Sequence, residues 1–229
     1  MPENITLKIK IAERAADLYI EQPDFTLKYL SGQMKIKPAE MYTLFPNRRN
    51  VLQFVYAAQL YKYRGIRKDI ENFASYSLAE KLSNLAYTLT DLLLEHREFT
   101  DRTFDPLIRN CFQTTDFEKQ LEEEIAGFFK HNSSISTSAS FLLQPLFFRL
   151  IRNHYLWLIR YWLNDESPGF ENTMALTDKW TNFIQEILYN KTLDKGFDLA
   201  KFIAMQSGIK EWFYPGKQKS HPSADQKSP

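Results

Sequence analysis

Phe25-Thr26-Leu27-Lys28-Tyr29-Leu30-Ser31, followed after Gly32-Gln33 by Met34-Lys35-Ile36-Lys37-Pro38-Ala39-Glu40-Met41-Tyr42-Thr43-Leu44-Phe45-Pro46-Asn47-Arg48, is the stretch that decides the fold. It predicts a short helix over 27–34, a tight turn and a second short helix. Thr26 is a side-chain cap for the first. Pro38 fits the first turn of the second, where its missing N–H costs little. Pro46-Asn47 marks the next turn, with Asn47 capping a longer helix from Arg48 to about Lys68. Leu30, Met34, Ile36, Met41 and Phe45 supply a small core between the two short helices, and Ser31 is small enough for a close crossing. A helix-turn-helix of this kind lays its second helix in the DNA major groove. Residues 1–50 are therefore read as a reading head, and the rest of the chain as what controls it.

Working outward, Ile5, Ile9, Ala12, Ala16, Tyr19 and Ile20 recur at helical spacing up to Pro23. Downstream, the apolar periodicity predicts helices over 78–98, over 104–113 opening near Pro106, and over 116–130, whose acid-rich first turn suits the helix dipole. The Ser/Thr cluster 132–140 is a loop. Long helices follow at 140–163 and 170–190, with a last one at 195–207, and the Lys/Ser/Pro/Gln composition from Pro215 predicts a disordered tail. No strand pattern and no internal repeat are present. The fold class is all-α: an N-terminal three-helix helix-turn-helix domain (1–50), a larger helical ligand-binding and dimerisation domain (51–214) and a tail (215–229).

With only 7 glycines and 15% aromatic residues, the chain favours helices around bulky cores or an apolar cavity. The net charge of +1 excludes a polyanion binder by bulk charge, although residues 1–60 carry eight Lys/Arg against six Asp/Glu and Lys62, Arg64, Arg67 and Lys68 stand close together. Cys111 is the only cysteine, so no intrachain disulfide can form, which fits a reducing compartment. The N-terminus lacks a signal-peptide pattern. The most apolar run, 141–163, contains Arg149, Arg152, His154 and Arg160, too many ionisable groups for a membrane span. A cytoplasmic protein without membrane insertion is expected. His96, His131, His154 and His221 lack metal-ligand spacing, and no Gly-rich phosphate loop, Gly-x-Ser-x-Gly elbow or His-Glu-x-x-His occurs. No metal, cofactor or enzymatic activity is expected. The acid run Glu122-Glu123-Glu124 reads as a solvated face.

Residues 5–52 resemble the DNA-binding domain of the TetR family of bacterial repressors. Ala15-Ala16 match its first helix and Thr26 the residue opening its second. Leu30-Ser31 replace Ile-Ala, Ile36 supplies the apolar turn residue, Tyr42 and Phe45 match the closing aromatics, and Arg48 takes the basic position opening the fourth helix. The resemblance implies a DNA-facing set of Thr26, Lys37, Ala39, Glu40, Tyr42, Thr43 and Arg48. Tyr42 and Arg48 would meet phosphates, and Lys37, Ala39 and Thr43 bases or backbone. The chain departs from the family at Lys35, which stands where the turn usually has Gly, and at Glu40, where a small hydroxyl residue is common; its carboxylate could accept from cytosine N4.

The same resemblance implies a homodimer through the two long helices, a double-stranded palindromic DNA partner and a small apolar ligand in the helical body. Trp157, Tyr161, Phe183 and Ile187 are the interface candidates, and Tyr87, Phe104, Phe112, Phe128 and Phe148, with Phe99 and Phe129 nearby in sequence, the candidates for a ligand cavity. A second, shorter likeness competes. Trp162-Leu163-Asn164-Asp165-Glu166-Ser167, with Thr173 and Asp178-Lys179, is similar to the late helices of the ubiquinone-biosynthesis lipid-binding proteins, which share the fold without acting as repressors. The plain alternative for that stretch is a capping turn in which Asp165 and Ser167 end one helix and start the next. Two readings thus stay open: a ligand-controlled DNA-binding regulator, or a non-catalytic binder of lipid or apolar metabolites with a decayed head.

Overall fold

Apolar residues at helical spacing, punctuated by polar caps, give a bundle that holds the N-terminal head against a larger helical body. The computed structural model describes residues 3–130, 132, 134–136 and 143–190. Among them lie nine α-helices and no strand: α1 (Glu3–Glu21), α2 (Leu27–Gln33), α3 (Pro38–Leu44), α4 (Arg48–Asp69), α5 (Leu78–Leu94), α6 (Arg97–Phe104), α7 (Asp116–Phe129), α8 (Pro145–Leu163) and α9 (Glu171–Tyr189). The helix expected at 195–207, the tail from Pro215 and most of the 132–140 loop lie outside the described residues.

The helix starts are set locally. Thr26 Oγ1 accepts from Tyr29 N–H at 3.1 Å and Asn47 Oδ1 from Asn50 N–H at 3.0 Å, the two caps expected from sequence. Ser77/Glu80 and Thr115/Glu118 form reciprocal capping boxes that open α5 and α7. Pro38 and Pro145 occupy first-turn positions.

Two expectations are corrected. The helix foreseen over 78–98 stops at Leu94, because His96 Nδ1 sits 3.3 Å from Asp17 on α1 and Arg97 donates to the Leu163 carbonyl of α8 at 3.1 Å. Those tertiary anchors turn the chain where no Gly or Pro announces a break. The helix expected to open near Pro106 instead begins at Arg97, and residues Asp105–Arg109 form a π turn closed by Asn110 N–H to the Asp105 carbonyl at 2.9 Å.

The boundary expected at residue 50 falls inside α4, which runs unbroken through head and body. One apolar core extends from Ile11 through Val51 and Tyr56 to Trp162 and Leu188. Tyr56 is its aromatic hub: it is fully buried, has Phe99, Phe104 and Phe117 within 6.0 Å, and shares a 2.7 Å hydrogen bond with Thr103. Burial drives its hydroxyl pKa far up, so the phenol stays protonated and bonded.

Charged runs follow the helix, not the sequence. Glu123 is exposed, but Glu124 is buried between Arg64 and Arg67 of α4, and Glu122 accepts from Arg152 at 3.0 Å. The solvated face expected for the acid run is therefore confined to its middle residue, since three consecutive positions span most of a helical turn. The basic cluster is likewise engaged: Lys62 bridges Glu13 at 2.7 Å and Glu95 at 3.2 Å, leaving only Lys68 of the four without an ion pair among the described residues.

Candidate functional sites

The helix-turn-helix closes as a Schellman motif. Ile36 N–H reaches the Ser31 carbonyl at 2.9 Å and Lys35 N–H the Gly32 carbonyl at 3.2 Å, with Lys35 in the left-handed region at φ +55°. This is the position where Gly carries no steric penalty. Leu30, Met41 and Phe45 are buried beneath it, Met34 and Ile36 partly so, and Ser31 is buried at the crossing. Lys35→Gly is expected to stabilise the protein by about 1 kcal/mol, the relief of left-handed strain offset in part by the freer unfolded chain. A urea midpoint that stays put or falls would show that the turn holds Lys35 without strain.

Of the seven candidate DNA-facing residues, Thr26, Lys37, Ala39, Glu40, Tyr42 and Thr43 are exposed, Tyr42 with half its surface open. Four of them lie on α3, with Lys37 at its N-cap and Thr26 capping α2. Three are already engaged within the chain, Thr26 through its cap on Tyr29 N–H. The Thr43 hydroxyl donates to the Ala39 carbonyl at 3.0 Å. Arg48 Nη1 donates to the Pro23 carbonyl at 2.5 Å, lies 3.4 Å from the Asp24 carboxylate, and its guanidinium covers the Phe25 ring. Arg48 thus clamps the α1–α2 loop, and Arg48→Ala would disturb the head as well as any phosphate contact.

The five candidate cavity residues do not line a common chamber. Phe104 and Phe128 are buried in the core, and Phe112 is fully exposed on the loop before α7. Phe148 edges an open groove of about 480 Å³ between α7 and α8 with Glu122, Arg149 and Arg152. Tyr87 lines a small pocket of about 160 Å³ between α5, α9 and the α8–α9 turn, where its hydroxyl donates to the Asp178 carboxylate and to the Met174 carbonyl at 3.2 Å. Burial and the Asp178 carboxylate both push the Tyr87 pKa upward. Aromatic spacing alone could not tell core rings from lining rings, since both recur at the helical period.

The second resemblance resolves into a capping turn. Asp165 Oδ1 accepts from Ser167 N–H at 3.0 Å and Oγ at 2.6 Å, and Oδ2 from Thr173 N–H at 2.8 Å and Oγ1 at 2.6 Å. Burial tends to raise the Asp165 pKa, but these hydrogen bonds outweigh it and hold the carboxyl well below the usual range. The turn also places Gly169 and Phe170 in the left-handed region, with Phe170 held by Trp162 and Arg97.

Among the described residues nothing covers an apolar face on α8 and α9. Leu146, Leu150, Trp157 and Tyr161 recur along α8 at spacings of 4, 7 and 4, each at least 36% exposed. On α9, Phe183 is 57% exposed and Ile187 half-buried one turn further on. All four interface candidates therefore reach the surface. The helix expected from residue 140 opens at Pro145, and among the described residues its outer stripe is uncovered. Beside it His154 stacks on Trp180 with ring centres 3.8 Å apart, and its buried Nε2 has no partner among the described residues.

Burial lowers the His154 pKa to about 4 from an ordinary 6.5. The unfolded chain therefore takes up the proton first, and the neutral ring's contribution, present above pH 6.5, is lost as the pH falls from 6.5 towards 4. Discounted for its partial exposure, the loss is roughly 2 kcal/mol. His154→Phe should flatten that decline relative to wild type in denaturation curves taken at pH 7 and pH 4.5; parallel curves would exclude His154 as its source.

Among the described residues no helix is long and apolar enough to cross a membrane, and no cluster of three or more His, Cys, Asp or Glu could hold a metal. No curated protein matches the chain. Residues 81–203, more than half of it, match the family model described as the tetracycline repressor-like C-terminal domain. The matched region begins early in α5 and takes in α6 to α9, the last two carrying the open apolar stripe, and it lies downstream of α4, the helix shared with the head. The two ends of the molecule thus lead to one assignment, the head by its residues and the body by its family model: the chain belongs to the TetR family of regulators.

Proposed function

We propose that the protein is a DNA-binding transcriptional repressor, acting as a homodimer on a palindromic operator and released by a small molecule bound in its helical body. The observation that carries this reading is the head: a Schellman-closed helix-turn-helix with six of its seven candidate contact residues exposed, joined to a TetR-like body. A two-fold pair built on α8 and α9 would present two such heads to a site of matching symmetry.

The link between body and head is α4. Arg49 donates to the Pro106 carbonyl and Gln53 to the Leu107 carbonyl, both at 2.9 Å, so its first turns hold the π turn after α6. At its far end Arg64 and Arg67 hold Glu124 of α7. A ligand that moved α6 or α7 would therefore tilt α4 and the head with it, provided it preferred one head spacing to the other. The pocket beside Tyr87 is smaller than the usual range for drug-sized ligands, so a sizeable apolar ligand there would have to part α5 from α9.

The rival reading, a lipid- or apolar-metabolite binder with a decayed head, is favoured by the exposed carboxylate of Glu40 on α3 and by the absorption of the basic cluster into ion pairs. Selection of the purified protein against a random duplex pool at near-physiological salt separates the two. Enrichment of a palindrome, with affinity about ten-fold lower for Tyr42→Ala across all sequences, supports the repressor. No enrichment, or equal weak binding by both proteins, moves the assignment to the metabolite binder.

A further inference from the structure

Head and body meet across an open cleft of about 550 Å³ walled by the start of α1, the α3–α4 turn, the first turns of α4 and the segment between the π turn and α7. Its lining contains three cations, Lys8, Arg49 and Lys119, against one carboxylate, Asp116, which lies 3.7 Å from Lys119. Neither Lys8 nor Arg49 has a carboxylate partner among the described residues. Lys8 is half-buried and its ammonium stands 5.2 Å from the Phe45 ring centre and 5.5 Å from that of Phe54. Arg49 spends one nitrogen on the Pro106 carbonyl and on Cys111 Sγ, 3.1 Å away. At the mouth stands the fully exposed Phe112.

We propose that this cleft binds a small organic anion, a carboxylate or phosphate carried on a planar apolar body. Unpaired cations in a concave site with low-dielectric walls focus a positive potential that an anion would meet on entry. Lys8 gains most from a counter-ion, because its ammonium stands against two aromatic rings that take the place of part of its water. An open phenyl at the rim offers a planar group a stacking surface, and the volume lies within the range of small-molecule sites. The occupant would bridge α1 and α4 of the head to the segment before α7 and so favour one head position. That regulatory consequence rests on the DNA-binding reading; the binding itself does not.

Cys111 is the only cysteine and its sulfur lies in the cleft wall, so its alkylation by neutral iodoacetamide reports occupancy without any DNA. The full-length protein is titrated with benzoate and, separately, with inorganic phosphate, ionic strength being held constant with chloride. The readout is the ratio of alkylation rates with and without probe. Saturable protection of at least five-fold by either anion, with apparent affinity at least ten-fold weaker in Lys8→Gln and Arg49→Gln, is the expected result. Benzoate alone would mean that the planar body is needed, phosphate alone that the charge suffices; both support the site. Since Arg49→Gln also removes a contact to the π turn, Lys119→Gln serves as a further variant, and thermal melts check that each folds. Absence of saturable protection, or equal protection in all variants, overturns the proposal. So does protection by duplex DNA where both small anions fail, which would make the cleft part of the nucleic-acid surface.

Discussion

Glu124→Ala is expected to lower the unfolding free energy by about 3 kcal/mol, the largest loss foreseen for a single polar side chain. Glu124 is the shared acceptor of a three-charge cluster. Its side chain is 6% exposed, Oε2 accepts from Arg64 Nε at 2.8 Å, and Oε1 accepts from Arg67. Removing one member of a buried ion pair typically costs 3–5 kcal/mol, because the remaining charge stays desolvated without compensation. Here two guanidiniums would remain and repel each other. The value sits at the low end because Arg64 and Arg67 are 27% and 31% exposed and can turn towards water.

Arg64 would keep its bonds to the side chain and carbonyl of Gln120 at 2.9 and 3.3 Å, which retain part of the α4–α7 contact. Glu124→Gln preserves shape and an acceptor but not charge, and should fall between wild type and alanine. Urea denaturation at moderate and at high salt checks the argument: a buried cluster is little screened. A loss below about 0.5 kcal/mol for the alanine variant, or a wild-type contribution that vanishes in salt, would show that the cluster behaves as an ordinary surface pair.

Trp157→Glu should dissociate the proposed dimer while leaving each chain folded. Within one chain the indole is 46% exposed, so a charge there is accommodated by water. Across a two-fold interface the same residue is buried twice, once from each subunit, and every substitution counts double. A central aromatic anchor is worth about 2 kcal/mol or more, and an uncompensated carboxylate adds to the loss. The dimer constant should therefore weaken by about a thousand-fold or more. Phe183→Glu on α9 tests the other helix of the stripe, where a 57% exposed phenyl awaits cover. Sedimentation equilibrium over a range of concentrations, with circular dichroism as the folding check, reads both. A wild-type protein that stays monomeric, or a double variant with an unchanged dimer constant, would remove α8 and α9 from the interface and with it the palindromic operator.

Much of the head was legible in the sequence because its determinants are local. Thr26 and Asn47 cap the helices they precede, Pro38 opens α3, and Lys35 occupies the left-handed turn that a Gly would normally take; each depends on atoms within a few residues. The turn at Asp165 is of the same kind, its partners Ser167 and Thr173 standing just downstream. The candidate sites of the body were less legible. Nothing in sequence separates Phe104, sealed against Tyr56, from Phe112, which faces water, because hydrophobicity specifies what prefers burial and not which neighbour provides it.

What the sequence by itself determined is the all-α class, the helix-turn-helix and most helix starts, since capping, proline placement and 3.6-residue periodicity act over one or two turns. Only the tertiary structure decided the rest. It broke the 78–98 segment at His96 through contacts to Asp17, buried Glu124 while exposing Glu123, absorbed the basic cluster of α4 into ion pairs, and brought Lys8, Arg49 and Cys111 to one cleft from three distant parts of the chain. Those outcomes depend on which helix faces lie against one another, and that is settled by the packing of the whole core around Tyr56.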